Sequence, residues 1–431
     1  MITIRKNYLI ALVAAVLVWI PVLSEASNGF FAHGYGARNK AMAGATTALP
    51  QDALAAAINP AGMAYMDNRL DMEVGLFKAS QQYTVEGVPT FTPGSFPLNP
   101  GTTQSDDDWI PIPAFGWNHK LDSQQSIGIS IYPNGGVITD YAAKPNPLCG
   151  PGGKGTFCAG TAGIDLEQGF FVPSYAHSFN NGKFSLGIAP IFAVQRLSVQ
   201  GLNAFARFSG DPGHFSNKGF EYSLGGGVRI GVLAEPIPGL RFGASYKSRI
   251  FMSRFSDYSG LLAEHGSFDI PESYNFGLSW DINNQFTTTF DIEHIRYSQI
   301  HSLGNPFLPN LLITPLGNKN GSGSGLRDMT IFKFGAQWRQ DDSWIWRAGI
   351  SYGEQPIPNS EVLLNILTPG VQEIHLTTGF SYAVDKDDEF SFSFTYSPPN
   401  SIKGQNPLSP GQSIELEIEQ LSLQLAWSRR F

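Results

Sequence analysis

The chain has 431 residues, of which 15% are charged and 13% aromatic, and its formal net charge is −8. Soluble globular proteins carry about 25% charged residues, so this composition is poor for a surface that faces water. The mean hydropathy of −0.10 excludes a bundle of membrane helices and fits strands with one apolar and one polar face. The negative charge argues against nucleic acid as a partner, because phosphate binding needs clustered lysines and arginines.

The first 26 residues have the pattern of a secretory signal peptide. Arg5 and Lys6 precede an apolar run at residues 9–20, and small residues precede Ser27. An uncleaved membrane helix is the alternative, but the run is shorter than the roughly 20 residues that a bilayer core needs. We therefore expect export and a mature chain that begins at Ser27.

The next segment, residues 27–69, is rich in glycine and alanine and lacks the alternation of a strand. It is too apolar to remain in water, so we expect it to fold into the lumen of a barrel as a hatch. Residues 51–58 are rich in alanine and predict a short helix. Asn59 and Pro60 should end that helix, because proline cannot continue it.

Residues 70–431 form a long series of segments in which apolar and polar side chains alternate. Phe390, Phe392 and Phe394, for example, alternate with serines, as in a strand with two different faces. Short polar turns alternate with long linkers, among them residues 135–165 and 399–412. Short periplasmic turns and long extracellular loops are typical of outer-membrane barrels, and an even strand number leaves both termini in the periplasm.

The sequence therefore predicts an all-β fold, a transmembrane antiparallel β-barrel of about 14 strands with an N-terminal luminal hatch of short helices. We divide the chain into a signal peptide (1–26), the hatch (27–69) and the barrel (70–431). The alternative is a secreted protein of two β-sandwich domains, which would need polar outer faces. The last segment ends on Phe431, which resembles the insertion signal of outer-membrane barrels, although Arg429 departs from that pattern.

Two cysteines, Cys149 and Cys158, lie in a stretch rich in glycine and proline. In an exported chain such a close pair predicts a disulfide. A metal site is the alternative, but two thiolates alone do not complete a tetrahedral zinc shell and the stretch offers no histidine or carboxylate. We expect the disulfide and no metal.

No catalytic constellation emerges from the sequence. The eight histidines stand singly, and the chain lacks a nucleophile elbow, a zinc-binding helix motif and a phosphate-binding loop. His214, His265 and His301 lie in predicted loops and are the candidates for a barrel enzyme with its site at the rim. Loop histidines are usually solvated or structural. We therefore expect binding without catalysis and without a cofactor.

Two predicted extracellular loops are unusually apolar. Dense apolar groups in a loop mark an interaction site, although packing of the loops on each other would use the same side chains. The candidate residues for such an interaction site are Phe205, Phe208, Phe215, Phe251, Phe255, Leu261 and Leu262.

The third predicted strand is interrupted at Pro133, Gly135 and Gly136. Proline removes a donor from the ladder, and paired glycines permit a bulge. The sequence leaves two interpretations open: a kink within a continuing strand, or an ordinary strand end.

The stretches GYGARNKAMAGA and AAINPAG, about fourteen strands and the terminal Phe431 together resemble the FadL/toluene-transporter family of outer-membrane transporters for long-chain fatty acids and aromatic hydrocarbons. The most specific motif is Asn59-Pro60-Ala61 within the hatch. Further similarity lies in GISIYPNGGVITDY, DIPESYNFGLSWDI and RAGISYGEQPIP, and the resemblance covers the whole mature chain.

The resemblance implies passive uptake of a hydrophobic small molecule. It implies capture in a loop groove, passage to a pocket beside the mature N-terminus, gating by Asn59, Pro60 and Ala61, and lateral release through a side opening at the break in the third strand. The expected N-terminal pocket residues are Ser27, Asn28, Phe30 and Phe31. A fatty acid would also need a cation for its carboxylate, for which Arg38, Lys40, Arg207 and Lys218 are candidates by location.

We expect a monomer that is surrounded by outer-membrane lipid and lipopolysaccharide and inserted by the barrel-assembly machinery. Two other functions remain open at this stage: a surface protein whose loops bind a host or a phage, and a general diffusion porin. Porins usually lack a hatch.

Overall fold

Fourteen antiparallel strands close into a barrel in the computed structural model, which describes residues 28–106 and 108–431. The last strand pairs with the first from Arg69↔Arg430 to Gly87↔Gln412, so the sheet has no open edge there. The predicted fold and strand number are confirmed. No helix in the described part is long and apolar enough to cross a membrane.

The wall strands are β1 (Arg69–Gly87), β3 (Ile110–Lys120), β4 (Gln125–Tyr141), β5 (Ala162–Phe179), β6 (Phe184–Gln200), β7 (Glu221–Ile237), β8 (Leu240–Lys247), β10 (Ser273–Asp281), β11 (Phe286–Ile295), β12 (Met329–Arg339), β13 (Trp344–Gly353), β14 (Ile374–Ala383), β15 (Asp388–Gln405) and β16 (Gln412–Arg430). Two short strands lie outside this series: β2 (Gly101–Gln104) pairs with β1, and β9 (Phe251–Met252) pairs with β7.

The remaining regular structure consists of short helical turns. They are Ala37–Lys40, Ala55–Ala57 and Pro60–Tyr65 in the hatch, and Pro147–Cys149, Asn203–Phe208, Ser256–Tyr258, Ala263–Gly266, Tyr297–Gln299, His301–Gly304, Asn310–Ile313, Asn359–Glu361 and Leu364–Ile366 in the long loops. The long loops therefore fold over one end of the barrel as packed turns rather than as extended chain.

Several of the short turns at the other end share one device. The Asp122 side chain accepts hydrogen bonds from the backbone N–H groups of Gln124 (2.7 Å) and Gln125 (2.8 Å). Asp341 and Asp385 make the same pair of bonds to the residues two and three positions ahead. These backbone donors hold the pKa of all three carboxyl groups below the usual range. Aspartate thus fixes these turns by replacing a backbone acceptor.

The last strand shows where the wall leaves the membrane. In the half of β16 nearer its C-terminus, leucines point outward and polar side chains point into the lumen. The pattern reverses on the N-terminal side of Gln420, toward the long loops. There glutamates lie on the outward face and buried aliphatic side chains point inward. The outward residues are Glu415, Glu417 and Glu419 above this level and Leu421, Leu423 and Leu425 below it; the inward residues are Ile414, Leu416 and Ile418 above and Gln420, Ser422 and Gln424 below. The barrel therefore has a polar lumen within the membrane and an apolar interior above it.

The hatch fills the polar part of the lumen. Three carboxylates of the wall accept hydrogen bonds from hatch backbone amides: Glu73 from Ala37 (2.7 Å), Asp71 from Ala53 (2.8 Å) and Asp291 from Thr47 (2.8 Å). The predicted helix over residues 51–58 is wrong in extent, because only Ala55–Ala57 forms a helical turn. The wall carboxylates hold the hatch through its backbone amides rather than through a long helix.

Glycines in the wall make room for the hatch. Gly187 on β6 and Gly231 on β7 lie opposite each other. A Cβ atom at Gly187 would lie 2.2 Å from the Pro60 carbonyl carbon, and one at Gly231 would lie 2.0 Å from Asn59 Oδ1. Any larger side chain would therefore collide with the hatch at this place.

Candidate functional site

The long loops enclose a cavity, called here the outer cavity, directly above the hatch. It has about 850 Å³ of atom-free space, its open mouth included, and its lining is almost wholly aliphatic and aromatic. Phe205, Phe215, Leu261 and Leu262, all predicted from the sequence, lie in this lining together with Phe30 of the hatch. No charged side chain among the described residues lines it. The loops pack on each other and still leave room for a ligand.

Other predicted residues lie elsewhere. Phe255 is fully buried among the loops, and Phe208 packs against the same apolar core from its edge. Phe251 is 67% exposed on β9. The lining also contains residues that the sequence pattern did not single out: Phe157, Phe268, Phe307, Leu316, Leu363 and Leu367. They come from four separate loops, so no local pattern identifies them.

The first described residues of the hatch reach the outer cavity at Phe30. Tyr297 holds them in place, because its hydroxyl accepts from the Phe30 N–H (3.0 Å) and donates to the Asn28 carbonyl. The Phe30 ring packs edge-on against Phe268, with centroids 6.3 Å apart. Ser27, which we place in the same pocket, lies outside the described residues, as does the predicted signal peptide.

A buried lysine lies behind this segment. The Lys247 side chain is 1% exposed, and its Nζ atom lies 3.8 Å from the centre of the Phe31 ring. Lys247 is the last residue of β8, and polar side chains are common at strand ends. The sequence pattern alone therefore could not show that this lysine is buried beside the hatch. Of the cations proposed by location, Arg38 is paired with Glu389 at 2.8 Å, Arg207 stacks on Phe208, Lys40 is buried in the hatch, and Lys218 is exposed.

The break in the third wall strand is a bulge and not a strand end. Beyond it β4 continues to Tyr141 and stays paired with β5. Pro133 pairs with Gly169 and Gly135 pairs with Gln168, so Asn134 is the one extra residue. Gly136 follows in register with Glu167. Gly135 has a φ of +154°, and a Cβ atom there would lie 1.9 Å from the Phe30 carbonyl oxygen.

On its other side, β4 separates from β3 at the level of the bulge. The ladder between the two strands runs from Lys120↔Ser126 to Phe115↔Ile131 and stops there. Above it, residues 110–114 pair only with β1. Residues 132–139, apart from the bulged Asn134, pair with β5, and Gly135 also pairs with Phe31 of the hatch, but none of them pairs with β3. Asp106 closes the top, since its N–H donates to the Asp140 carbonyl (3.0 Å). We call this unpaired interval of the described wall the wall gap.

The Asn59-Pro60-Ala61 motif anchors the hatch to the wall. The Asn59 amide donates to the Thr47 carbonyl and to the Val232 carbonyl of β7, both at 2.9 Å, and its oxygen accepts from the Ala61 N–H. Ser185 of β6 donates to the Ala61 carbonyl (2.9 Å). The motif therefore joins two parts of the hatch to two wall strands.

Buried charges surround the lower hatch. Asp52 lies near Asp71, Arg38 and Arg69, and burial together with the Asp71 carboxylate raises the pKa of Asp52 to about 6. Arg69 donates to Asp71 at 2.7 and 2.8 Å. This ion network is charged, in contrast to the aliphatic lining of the outer cavity. It therefore stabilises the hatch rather than binding an apolar ligand.

The loop histidines do not assemble a serine-type site. His214 and Ser259 both bond to the Asp211 carboxylate, at 2.8 and 3.1 Å, so the carboxylate lies between the ring and the hydroxyl. Activation of a serine requires the histidine in that middle position. His301 contacts Glu264 at 3.0 Å, next to His265. Within residues 28–106 and 108–431 no group of three metal-ligating side chains is placed to hold a metal ion.

The predicted disulfide between Cys149 and Cys158 is present, with the two Cα atoms 5.2 Å apart. It closes a small ring in the loop after β4. Phe157, directly before the second cysteine, lines the outer cavity. The disulfide thus fixes one wall of that cavity.

Reduction of this disulfide should loosen the ring around Lys154. A cross-link over so short a loop contributes about 2–3 kcal/mol, so local opening and tryptic cleavage after Lys154 should rise at least about tenfold. Timed digestion with and without reductant measures this rate. Cleavage after Lys319, in another loop, is the internal control. Equal rates at Lys154 under both conditions would contradict a stabilising role.

Comparison with known proteins agrees with this architecture. The family model described as outer membrane protein transport protein (OMPP1/FadL/TodX) matches residues 22–412. The long-chain fatty acid transport protein of Shigella flexneri is 22% identical over 382 residues, which cover 73% of this chain and 79% of that protein. The protein of the same name from Escherichia coli K12 is 21% identical over 382 residues, with the same coverage.

Solved structures share the fold. A Pseudomonas aeruginosa FadL homologue superposes with a TM-score of 0.68 at 16% identity, over 94% of this chain and 100% of its own. The toluene transporter TodX of P. putida gives a TM-score of 0.66 at 16% identity, over 93% of this chain and 99% of its own. The family match spans most of the chain, and so this protein belongs to the OMPP1/FadL/TodX family of outer-membrane transport proteins.

Proposed function

We propose that this protein takes up hydrophobic small molecules, long-chain fatty acids or aromatic hydrocarbons, across the outer membrane without an energy source. The ligand binds in the outer cavity, moves past the first residues of the hatch and leaves sideways through the wall gap into the bilayer. The hatch blocks the axial path. The observation that carries this proposal is the outer cavity, an apolar space above a barrel whose membrane-level lumen is polar and filled.

The chemistry of the lining supports an apolar ligand. Three of its few hydroxyl groups are bonded to the protein: Ser302 donates to the Ser267 carbonyl (2.6 Å), Ser322 to the Phe307 carbonyl (2.8 Å) and Thr368 to Asn365 Oδ1 (2.8 Å). None of the described charged side chains lines the cavity, so an ion finds no counter-charge there, whereas burial of apolar ligand surface is favourable. A porin would need the opposite, an open polar path.

The position of the wall gap supports lateral release. Phe31 pairs with Gly135 beside the bulge, and the Ala32 N–H donates to the Asn134 carbonyl (3.1 Å). The same short hatch segment therefore borders the outer cavity at Phe30 and the wall gap at Phe31. A shift of this segment would join the two spaces. An apolar solute would then enter the bilayer without crossing the polar lumen.

The relatives named above as long-chain fatty acid and toluene transporters define the two ligand classes to test. Purified protein in liposomes should speed the uptake of labelled oleate, toluene or both over protein-free liposomes, and should not pass a small sugar. Equal passage of the sugar would favour a diffusion porin. No acceleration of either apolar solute would favour a surface-binding protein.

Lys247 separates the two ligand classes. Lys247→Met should lower oleate uptake about tenfold and leave toluene uptake nearly unchanged, because a carboxylate gains a charge-assisted hydrogen bond of about 1.5–3 kcal/mol that a hydrocarbon cannot use. Lys218→Met, at an exposed loop position, is the matched control. If Lys218→Met shows the selective loss instead, the carboxylate is bound at the rim.

A further inference from the structure

Three buried amide side chains form a row on the inner face of adjacent wall strands: Asn134 of β4, Gln168 of β5 and Gln195 of β6. They are 0%, 2% and 0% exposed. Their inward neighbours on the same strands, among them Tyr132, Leu166, Phe170 and Leu197, are apolar and equally buried. Amides are costly in such a layer unless each is bonded, so their presence here needs a physical reason.

The row is bonded head to tail. The Asn134 amide donates to Gln168 Oε1 (2.9 Å), and the Gln168 amide donates to Gln195 Oε1 (3.2 Å). The Gln195 amide in turn donates to the Phe268 carbonyl (2.8 Å). Every bond runs in the same direction, so the amide dipoles align and strengthen one another. We call these three residues the amide row.

The two ends of the amide row lie at the two spaces that the proposed path uses. At one end, Phe268 lines the outer cavity. At the other, Asn134 is the extra residue of the bulge beside the wall gap. There the Tyr35 hydroxyl of the hatch donates to the Asn134 side chain (3.1 Å). Burial holds the pKa of Tyr35 well above its usual range, so this hydroxyl remains a donor.

We propose that the amide row positions the bulge according to the occupancy of the outer cavity, with Asn134, Gln168 and Gln195 as positioning residues for transport. This inference rests on the proposed function of the outer cavity. A ligand that moves Phe268 also moves the acceptor of the Gln195 amide. The amide N–H and the amide oxygen of each residue in the row are both hydrogen-bonded. A shift at one end therefore changes the hydrogen bonds along the whole row.

A second route joins the same two spaces and must be separated from the first. Phe30 lines the outer cavity, and the adjacent Phe31 pairs with Gly135. A ligand can therefore act on the bulge through the hatch as well as through the wall. Gln168 and Gln195 belong only to the wall route, so substitutions there test the amide row without altering the hatch contact.

The test uses the full mature barrel in lipid nanodiscs, with toluene as the probe and hydrogen exchange as the readout. In wild type, toluene should change the exchange rate of residues 256–268 in the loop and of residues 132–137 at the bulge. Gln168→Met should reduce the change at the bulge at least fivefold, while the change in the loop and at residues 28–32 persists. If Gln168→Met fails to assemble, Gln195→Met cuts the row one residue nearer the cavity.

The control is Gln372→Met. Gln372 is also a buried amide, 1% exposed, that donates to the Pro398 carbonyl (3.0 Å) outside the amide row. It should keep the wild-type response at the bulge. If Gln168→Met and Gln195→Met retain more than half of that response, the hatch route carries the signal and the amide row is overturned. If toluene leaves residues 256–268 unchanged in wild type, the outer cavity does not bind it, and the proposed function fails first.

Discussion

Gly231→Val should open a path for hydrophilic solutes through a barrel that otherwise excludes them. The added side chain would place a carbon 2.0 Å from Asn59 Oδ1 and 2.9 Å from Pro60 Cδ, where the hatch meets the wall. Overpacking of this kind costs about 3 kcal/mol. The wall at this place, where β6 and β7 pair without interruption, yields less readily than the short hatch. Such a cost raises the population of the displaced hatch about a hundredfold.

Single-channel conductance in planar bilayers measures this effect, and sensitivity of cells to a large hydrophilic antibiotic gives a second readout. Gly226→Val is the matched control on the same strand, because a Cβ atom there would meet only the Ile191 carbonyl oxygen at 3.4 Å. Gly226→Val should remain closed. If the Gly231→Val barrel assembles and conducts no more than Gly226→Val, the position of the hatch does not depend on its contact with the wall at Gly231.

Deletion of Asn134 should abolish delivery of apolar solutes into the bilayer. Asn134 and Gly135 both point inward, so removal of the extra residue restores simple alternation along β4 and brings Pro133 and Gly135 into consecutive register with β5. A regular β4 can then approach β3 and narrow the wall gap. Ligand binding in the outer cavity should remain, since the deleted residue does not line it.

The control for this deletion is Asn134→Ala, which keeps the bulge and removes only the side chain. A loss that both variants share belongs to the Asn134 side chain, and the additional loss in the deletion belongs to the bulge. Substitution of Gly135 is a poorer test, because its Cβ would strike the Phe30 carbonyl and move the hatch as well. Delivery that survives the deletion with binding intact would place the exit elsewhere.

Much of the fold is predictable because strand alternation is a local property. Phe390, Phe392 and Phe394 point to lipid while Ser391 and Ser393 are buried toward the lumen, as the pattern indicates. The alternation does not show where a strand ends if the strand continues into a stretch whose composition is typical of a loop. β15 extends to Gln405 through a stretch predicted as loop, and β4 passes its own bulge. Ladder pairing with a distant segment decides these ends.

The candidate site is less predictable because its parts are far apart in sequence. Apolar density identified Phe205, Phe215, Leu261 and Leu262, which line the outer cavity, but the same density also selected Phe251, which is exposed. Phe268, at the end of the amide row, stands alone in its sequence context. The buried amides are single polar residues in alternating strands, where they look like ordinary lumen-facing positions. Only the closed wall and folded loops bring them together.

On the proposed path an apolar ligand passes from the outer cavity through the wall gap. An alkane that carries a photoactivatable diazirine, incubated with the barrel in liposomes and then irradiated, maps the path by mass spectrometry of the labelled peptides. We expect adducts on cavity residues such as Phe205 and Phe268 and on residues 110–114 and 132–138 at the edges of the wall gap. In the Asn134 deletion the cavity adducts should remain and the gap adducts should disappear. Adducts along the hatch at residues 37–65, with none at the gap edges, would contradict lateral release.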